Sequence, residues 1–134
     1  MPLRVGHHAQ RRSLGSLRAA DTEDEHRAPV DAAVRYITVL KNLKSLDLNT
    51  TYSLTDKSLA FVSTLDQLEV LQMGATSITG RGLGYIRHLT DLRELQLNGN
   101  RKIDDVGLLH LRNLDKLEFI HLYETNVSDM GLIP

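Results

Sequence analysis

Histidine and aspartate are the side chains of this chain that could bind a metal or transfer protons. The histidines are residues 7, 8, 26, 88, 110 and 121. A zinc site needs three or four ligands that converge on one point, whereas His7 and His8 are adjacent and His88 and His110 are expected on different turns, out of register. The chain has no HExxH motif, no glycine-rich phosphate loop and no GxSxG elbow. We therefore expect no metal, no cofactor and no catalytic residue, and a protein that is not an enzyme.

Several aspartates recur at a regular spacing, which indicates a structural role rather than a catalytic one. They are Asp56, Asp104, Asp105 and Asp129. An acidic side chain in the first turn of a helix is stabilised by the helix dipole. We interpret these aspartates as helix-start residues and not as a pair of catalytic carboxylates.

Aromatic side chains near the C-terminal end are the strongest candidates for recognition of a partner. Phe119, His121 and Tyr123 alternate along one predicted strand, so their side chains are expected on the same face. Exposed aromatic residues are enriched at protein interfaces and at their energetic hot spots. The pattern predicts a partner-binding patch. The alternative is that these residues contact a further repeat or have no role in binding.

Leucines recur with a fixed period, and this period defines the elements that must position the candidates. Leu40, Leu43, Leu46 and Leu48 return in three further copies, each displaced by 24 or 25 residues. Those copies are Leu65, Leu68, Leu71 and Met73; Leu89, Leu92, Leu95 and Leu97; and Leu114, Leu117, Ile120 and Leu122. The end of each run alternates apolar and polar residues, as a strand does. The second half of each unit opens on an N-cap residue type at Thr55, Thr79, Asp104 or Ser128, which predicts a short helix.

The four segments LKNLKSLDLNTTYSLTDKSL, LDQLEVLQMGATSITGRGL, LTDLRELQLNGNRKIDDVGL and LDKLEFIHLYETNVSDMGL resemble the leucine-rich-repeat family. They are most similar to its short LxxLxxLxLxxTxITDxGL form, which occurs in F-box-associated and bacterial repeat proteins. The resemblance implies an α/β fold, a right-handed solenoid with a concave parallel sheet of about four strands and convex short helices or 3₁₀ turns. It also implies that Thr51, Thr76, Asn100 and Thr125 bond to backbone of the adjacent coil. Gly82, Gly107 and Gly131 predict close packing of the convex segments.

Stacking of these strands places their outward residues in columns, which predicts further binding residues. The columns are Ser45, Val70, Glu94 and Phe119; Asp47, Gln72, Gln96 and His121; and Asn49, Gly74, Asn98 and Tyr123. Beside the aromatic patch, we assign candidate partner contacts to Gln72, Glu94, Gln96 and Asn98. Such polar side chains could bond to a peptide or a carbohydrate, or they could simply be solvated.

The two ends of the chain are expected to differ from the repeats. Residues 1–28 contain few apolar groups and predict a disordered or loosely attached tail. Residues 29–134 are predicted to form the repeat domain, which begins with a half-repeat helix over 31–39 and ends without a cap. An open C-terminal edge favours a longer repeat protein, self-association through that edge, or an edge that is tolerated.

Composition excludes several functional classes. The net charge of −1 argues against a nucleic-acid surface, and the absence of cysteine excludes a disulfide framework. No apolar run approaches the roughly 18 residues of a membrane helix. The arginine-containing, acid-free start is compatible with an organellar transit peptide but lacks the apolar core of a secretory signal, so the cytoplasm is favoured.

These features predict a non-enzymatic protein–protein interaction module whose partner is a protein that docks on the concave face. One alternative is a structural element that stacks through the C-terminal repeat. Another is a fragment of a larger substrate-recognition receptor.

Overall fold

The chain forms one parallel sheet in which each repeat contributes a single short strand. The structure, a computed structural model, describes residues 16–18 and 39–128. The sheet has five strands in chain order: β1 (Ser16–Arg18), β2 (Ser45–Asp47), β3 (Val70–Gln72), β4 (Glu94–Gln96) and β5 (Phe119–His121). Between the strands lie α1 (Asp56–Val62), the 3₁₀ segment η1 (Gly80–Ile86), α2 (Asp105–Leu108) and the 3₁₀ segment η2 (Leu109–Leu111). We call the outward side of the sheet the strand face and the opposite side the helix face.

Strand register aligns the predicted leucine spine in one interior row. Leu46 pairs with Leu71, Leu71 with Leu95, and Leu95 with Ile120. The first three of these side chains are at most 1 % exposed, because a coil lies on each side of them. The other apolar rows of the repeats join the same core, so each coil buries its neighbours. The predicted α/β repeat solenoid is confirmed.

The sheet contains one strand more than the sequence analysis predicts. β1 lies in the segment predicted to be a tail, and it pairs in parallel with β2 so that Leu17 is opposite Leu46. Leu14 and Leu17 have the spacing of Leu43 and Leu46, which is the sequence signal for this strand. The rest of the predicted tail, the half-repeat helix up to residue 38, and residues 129–134 lie outside the described residues.

A left-handed residue turns the chain away from the sheet in every described repeat. It is Thr50 (φ 61°), Ala75 (φ 54°), Gly99 (φ 80°) or Glu124 (φ 55°). This conformation costs a non-glycine residue about 1–2 kcal/mol. Bonds between repeats offset this cost, because the amide nitrogens of Thr50, Ala75 and Gly99 donate to carbonyls of the following repeat at 2.7–2.8 Å.

The polar residue after each turn ties adjacent coils together. Asn100 is 2 % exposed, and its Nδ2 donates to the carbonyls of Met73 (2.8 Å) and Leu97 (2.9 Å). Its Oδ1 accepts from the amide and the hydroxyl of Thr76 at 3.0 and 2.8 Å. The Thr125 hydroxyl donates to the Leu122 carbonyl at 2.8 Å. The predicted bond to the backbone of the adjacent coil is therefore confirmed at Asn100, whereas the Thr76 and Thr125 hydroxyls donate to carbonyls of their own coils.

Glycines allow the segments of the helix face to approach one another. A side-chain carbon at Gly107 would lie 2.6 Å from Gly80 Cα, which no real structure tolerates. A side-chain carbon at Gly82 would collide with the carboxylate of Asp56. The close packing predicted for Gly82 and Gly107 is confirmed, and larger residues there would force neighbouring coils apart.

Aspartates at the starts of α1 and α2 bind the following repeat rather than acting only through the helix dipole. Asp56 accepts from the Thr79 amide at 2.8 Å and from its hydroxyl at 2.6 Å. Asp105 accepts from the amide and the hydroxyl of Ser128 in the same way. The N-cap prediction therefore needs correction at Thr55 and Thr79, whose side chains make no cap bond, whereas Asp104 does cap Gly107 N at 3.0 Å.

The hydrogen bonds between Asp105 and Ser128 are expected to affect the stability of the fold at acidic pH. Hydrogen bonds from the Ser128 hydroxyl and amide lower the pKa of Asp105. A carboxyl whose pKa is lowered by folding stabilises the fold above its unfolded pKa, and this contribution is lost as the pH falls through its folded pKa. We expect Ser128→Ala to raise the pKa of Asp105 and to flatten the loss of stability at acidic pH. Carboxyl titration by NMR measures the change.

Asp91 is the internal control for this titration. The hydrogen bond and charge of Lys116 lower the pKa of Asp91 independently of Ser128. Its titration should be the same in Ser128→Ala and in the unaltered chain. An Asp105 titration that does not move in the variant would contradict the assigned cause.

Candidate functional site

The strand face presents side chains in three columns, because register keeps equivalent residues of successive strands side by side. The predicted candidates at Glu94, Gln96, Phe119 and His121 are the outward residues of β4 and β5, while Gln72 is the last residue of β3. Asn98 and Tyr123 lie two residues beyond β4 and β5. Within β2 to β5, Asp47 and Glu94 supply the acidic groups of these columns, and the basic residue Arg18 of β1 is opposite Asp47 in the sheet register.

A chain of polar contacts links the columns across the repeats. Asn49 Nδ2 lies 3.1 Å from the Gln72 amide and donates to Gln96 Oε1 at 3.3 Å, while Asn49 Oδ1 accepts from Gly74 N at 2.6 Å. Gln96 Nε2 then donates to Glu94 Oε2 at 2.9 Å. Gly74 has no side chain, which leaves room for the amide groups of Asn49 and Asn98 on either side of it. Two of the predicted polar candidates, Glu94 and Gln96, are therefore held in place by each other and by Asn49.

Two exposed aromatic rings lie at the β5 end of this polar chain. Phe119 is 60 % exposed and Tyr123 is 74 % exposed, although both are large apolar groups. His121 lies between them in sequence, and its Nε2 is 3.5 Å from Glu94 Oε2. Tyr52 and Tyr85 are also exposed but belong to turns and to the helix face, outside the three columns.

The spine residue of β5 is also exposed. Ile120 is 36 % exposed, whereas its row partner Leu95 is completely buried. Among the described residues β5 has a neighbouring strand on one side only, which leaves part of its apolar face uncovered. Association through this edge stays a prediction.

Ion pairs lie along the margin of the sheet, and within each pair the two charges cancel. Lys44 pairs with Glu69 at 3.8 Å and Arg93 with Glu118 at 3.0 Å. Each pair joins one repeat to the next, and its side chains are about half exposed, which limits its value to roughly 0–1 kcal/mol. The margin therefore supports the stacking of repeats without forming a charged binding site.

Two histidines of the helix face line the same groove. His88 and His110 come from different repeats, as expected, but both line one groove over η1 together with Arg81, Tyr85 and Arg87. This groove was not predicted, and its signal in the sequence is the alternating glycines of Gly80–Gly84. Within residues 39–128 no three histidine, cysteine, aspartate or glutamate side chains are grouped as metal ligands. No helix of the described residues is long and apolar enough to span a membrane.

Comparison with solved structures shows that the chain resembles known proteins in structure. No protein-family model matches the chain, and no curated protein matches it. The chain is similar to the crystal structure of an internalin from Listeria monocytogenes, at 19 % sequence identity and a TM-score of 0.49. The match covers 73 % of this chain and 34 % of the internalin chain, so the chain spans about a third of that protein.

The assignment of the fold depends on the internal geometry of the chain. The strands are parallel, follow chain order, and place equivalent leucines in one buried row. Short helical or 3₁₀ segments return the chain from one strand to the next. The more specific likeness to F-box-associated repeats stays a prediction. The described residues form an α/β repeat solenoid with one short parallel strand per coil and a buried row of leucines.

Proposed function

We propose that the chain is a protein-interaction module that binds its partner on the strand face. The observation that carries the proposal is the exposure of Phe119 and Tyr123, at 60 % and 74 %, beside an ordered set of polar side chains. Aromatic rings bury a large area on binding and have only two side-chain torsions to restrict. They are therefore suited to anchor a partner.

The polar neighbours supply directional contacts around this anchor. Gln96 and Glu94 are bonded to each other, and Gln72 and Asn49 restrict one another's positions. Side chains that are already ordered lose less conformational entropy when a partner binds. Their remaining donors and acceptors, together with Asn98, can bond to the backbone or side chains of a protein segment laid across the strands.

Residues of this surface belong to regular strands rather than to long loops. Glu94, Gln96, Phe119 and His121 are held by the ladder between β4 and β5. A site on regular elements keeps its geometry without a ligand, so we expect binding with little change in the backbone.

The test compares binding by Phe119→Ala/Tyr123→Ala with binding by the unaltered chain. Peptide ligands are first selected from a displayed random library against the unaltered chain, and their affinities are measured by fluorescence anisotropy. Loss of two anchors should cost about 2 kcal/mol or more, which is roughly a thirtyfold weaker affinity. Both rings are exposed, so the unfolding midpoint should change little.

The matched control is Tyr52→Ala/Tyr85→Ala, which also removes two exposed aromatic rings, 71 % and 47 % exposed, but away from the columns. It should retain the affinity of the unaltered chain. If the selected peptides bind Phe119→Ala/Tyr123→Ala as tightly as they bind the unaltered chain, the proposed surface is wrong.

A further inference from the structure

The repeat that contains β3 and η1 has unusually small residues on the helix face. Its segment η1 has glycine at positions 80, 82 and 84, where the equivalent positions of α1 are Asp56, Ser58 and Ala60. Gly80 and Gly82 are buried against the neighbouring coils, whereas Gly84 is only partly buried and leaves the surface low between α1 and α2. The result is a groove of about 580 Å³ over η1, within the size range of ligand-binding clefts.

Gly84 lies at the floor of this groove. A side-chain carbon there would lie 3.3 Å from His110 Cε1, so the glycine lets the imidazole approach the backbone of η1. Leu109 occupies the equivalent position of the next repeat and is 56 % exposed, so a leucine side chain is accommodated there on the helix face. Gly84 therefore borders the groove without a side chain of its own, and a larger residue there would displace His110 and narrow the groove.

Cationic groups line the groove, and its arginines have no ion-pair partner among the described residues. Arg81 and Arg87 are exposed, and no described residue forms an ion pair with either of them. The carboxylate in the lining, Asp56, already accepts two hydrogen bonds from Thr79. Lysines and arginines at the sheet margin differ in this respect, since Arg93 has a carboxylate partner at 3.0 Å.

A second groove continues the positive surface. It has a volume of about 450 Å³, and Lys102 lines it together with Arg81 and His110. Asp104 is also in its lining, but its carboxylate caps Gly107 N at 3.0 Å. Arg81 and His110 border both grooves, so a bound segment can pass from one to the other.

We propose that this groove binds an acidic segment of a partner protein. The planar fork of an arginine matches a carboxylate in two-point geometry, and Arg81 and Arg87 offer two such forks in one groove. Tyr85, 47 % exposed, supplies an apolar surface between them in sequence. The site lies on the face opposite the strand columns, so the inference does not depend on the function proposed for those columns.

A peptide fits the charge count better than a nucleic acid does. Polynucleotide binding gains most of its affinity from neutralising many phosphates, about 6–10 in a typical complex. The two grooves together offer two arginines and one lysine. This number suits a short stretch of carboxylates.

The test measures the binding of a fluorescein-labelled peptide of alternating glutamate and glycine by anisotropy, with a glutamine-for-glutamate peptide as reference. Arg81→Gln/Arg87→Gln should weaken binding of the acidic peptide by about tenfold or more, since bonds to charged groups are lost. Arg101→Gln/Arg112→Gln removes the same charge outside the groove and should change affinity by less than about twofold.

Gly84→Leu tests whether binding needs the shape of the groove as well as its charge, because the leucine narrows the groove and leaves every charge in place. It should also weaken the acidic peptide, with an unchanged circular dichroism spectrum; if this variant does not fold, the two arginine variants decide the question alone. Equal losses in both arginine variants, or equal binding of the glutamine peptide, would overturn the proposal. Tighter binding of a single-stranded oligonucleotide, lost in Arg81→Gln/Arg87→Gln, would overturn it in favour of nucleic acid.

Discussion

Leu95→Ala is expected to lower the free energy of unfolding by about 2–5 kcal/mol. Leu95 is completely buried in the spine row between Leu71 and Ile120, so its side chain contacts coils on both sides. The change removes buried surface and leaves a cavity that two neighbouring coils would have to close. Small domains have a total stability of about 5–15 kcal/mol, so this single change removes a large part of it.

Ile120→Ala is the matched control for Leu95→Ala. Ile120 occupies the same row but is 36 % exposed, so part of its surface already contacts water. We expect its cost to be about half that of Leu95→Ala or less, because the cost follows the area removed from water. Urea unfolding followed by far-UV circular dichroism measures both. Equal losses would mean that β5 is covered in solution.

Asn100→Leu is expected to cost about 3 kcal/mol or more, although leucine has a similar volume and a higher apolar character. The Leu97 carbonyl would lose its donor, the Met73 carbonyl would keep only the Thr76 hydroxyl at 3.2 Å, and the Thr76 amide would lose its acceptor. Each buried polar group left without a partner costs about 1–3 kcal/mol. Because these groups belong to two different repeats, the variant should weaken the contact between the repeats as well as its own coil.

Asn100→Thr and Asn98→Ala show whether lost hydrogen bonds cause this effect. A threonine hydroxyl bonds to the carbonyl three residues earlier at Thr76 and Thr125, so Asn100→Thr should cost less than Asn100→Leu. Asn98 is partly exposed on the strand face, and its replacement should change stability by about 0.5 kcal/mol or less. Equal costs for the threonine and leucine variants would argue against the bonding role. Thermal and urea unfolding supply the comparison.

Periodicity within the chain was sufficient to predict the spine and the columns. Leu46, Leu71 and Leu95 were predicted to align because every coil repeats the same spacing, and the observed register aligns them. The exposure of Phe119 and Tyr123 follows from the same alternation. β1 was missed because its repeat keeps the strand spacing of Leu14 and Leu17 but is longer than the others and has little of their remaining pattern.

Contacts between repeats could not be predicted, since they depend on how one coil is displaced against the next. Asp56 was expected to act at the start of its own helix, but its carboxylate reaches the amide and hydroxyl of Thr79 in the following repeat. His88 and His110 were expected out of register, yet the thin segment η1 lets both line one groove. Neither relation is visible in the spacing of residues along the chain.

The amino-acid sequence alone determined the kind of coil, its length, which residues enter the core and which face outward, because these properties repeat with the backbone geometry of a single unit. The tertiary structure decided which outward groups meet. Stacking brings Glu94, Gln96 and His121 together, leaves Ile120 partly exposed, and opens the groove at Gly84. The physical reason is that contacts across coils depend on side-chain volumes in two or three neighbouring repeats at once, whereas burial of the spine depends only on a period that every repeat shares.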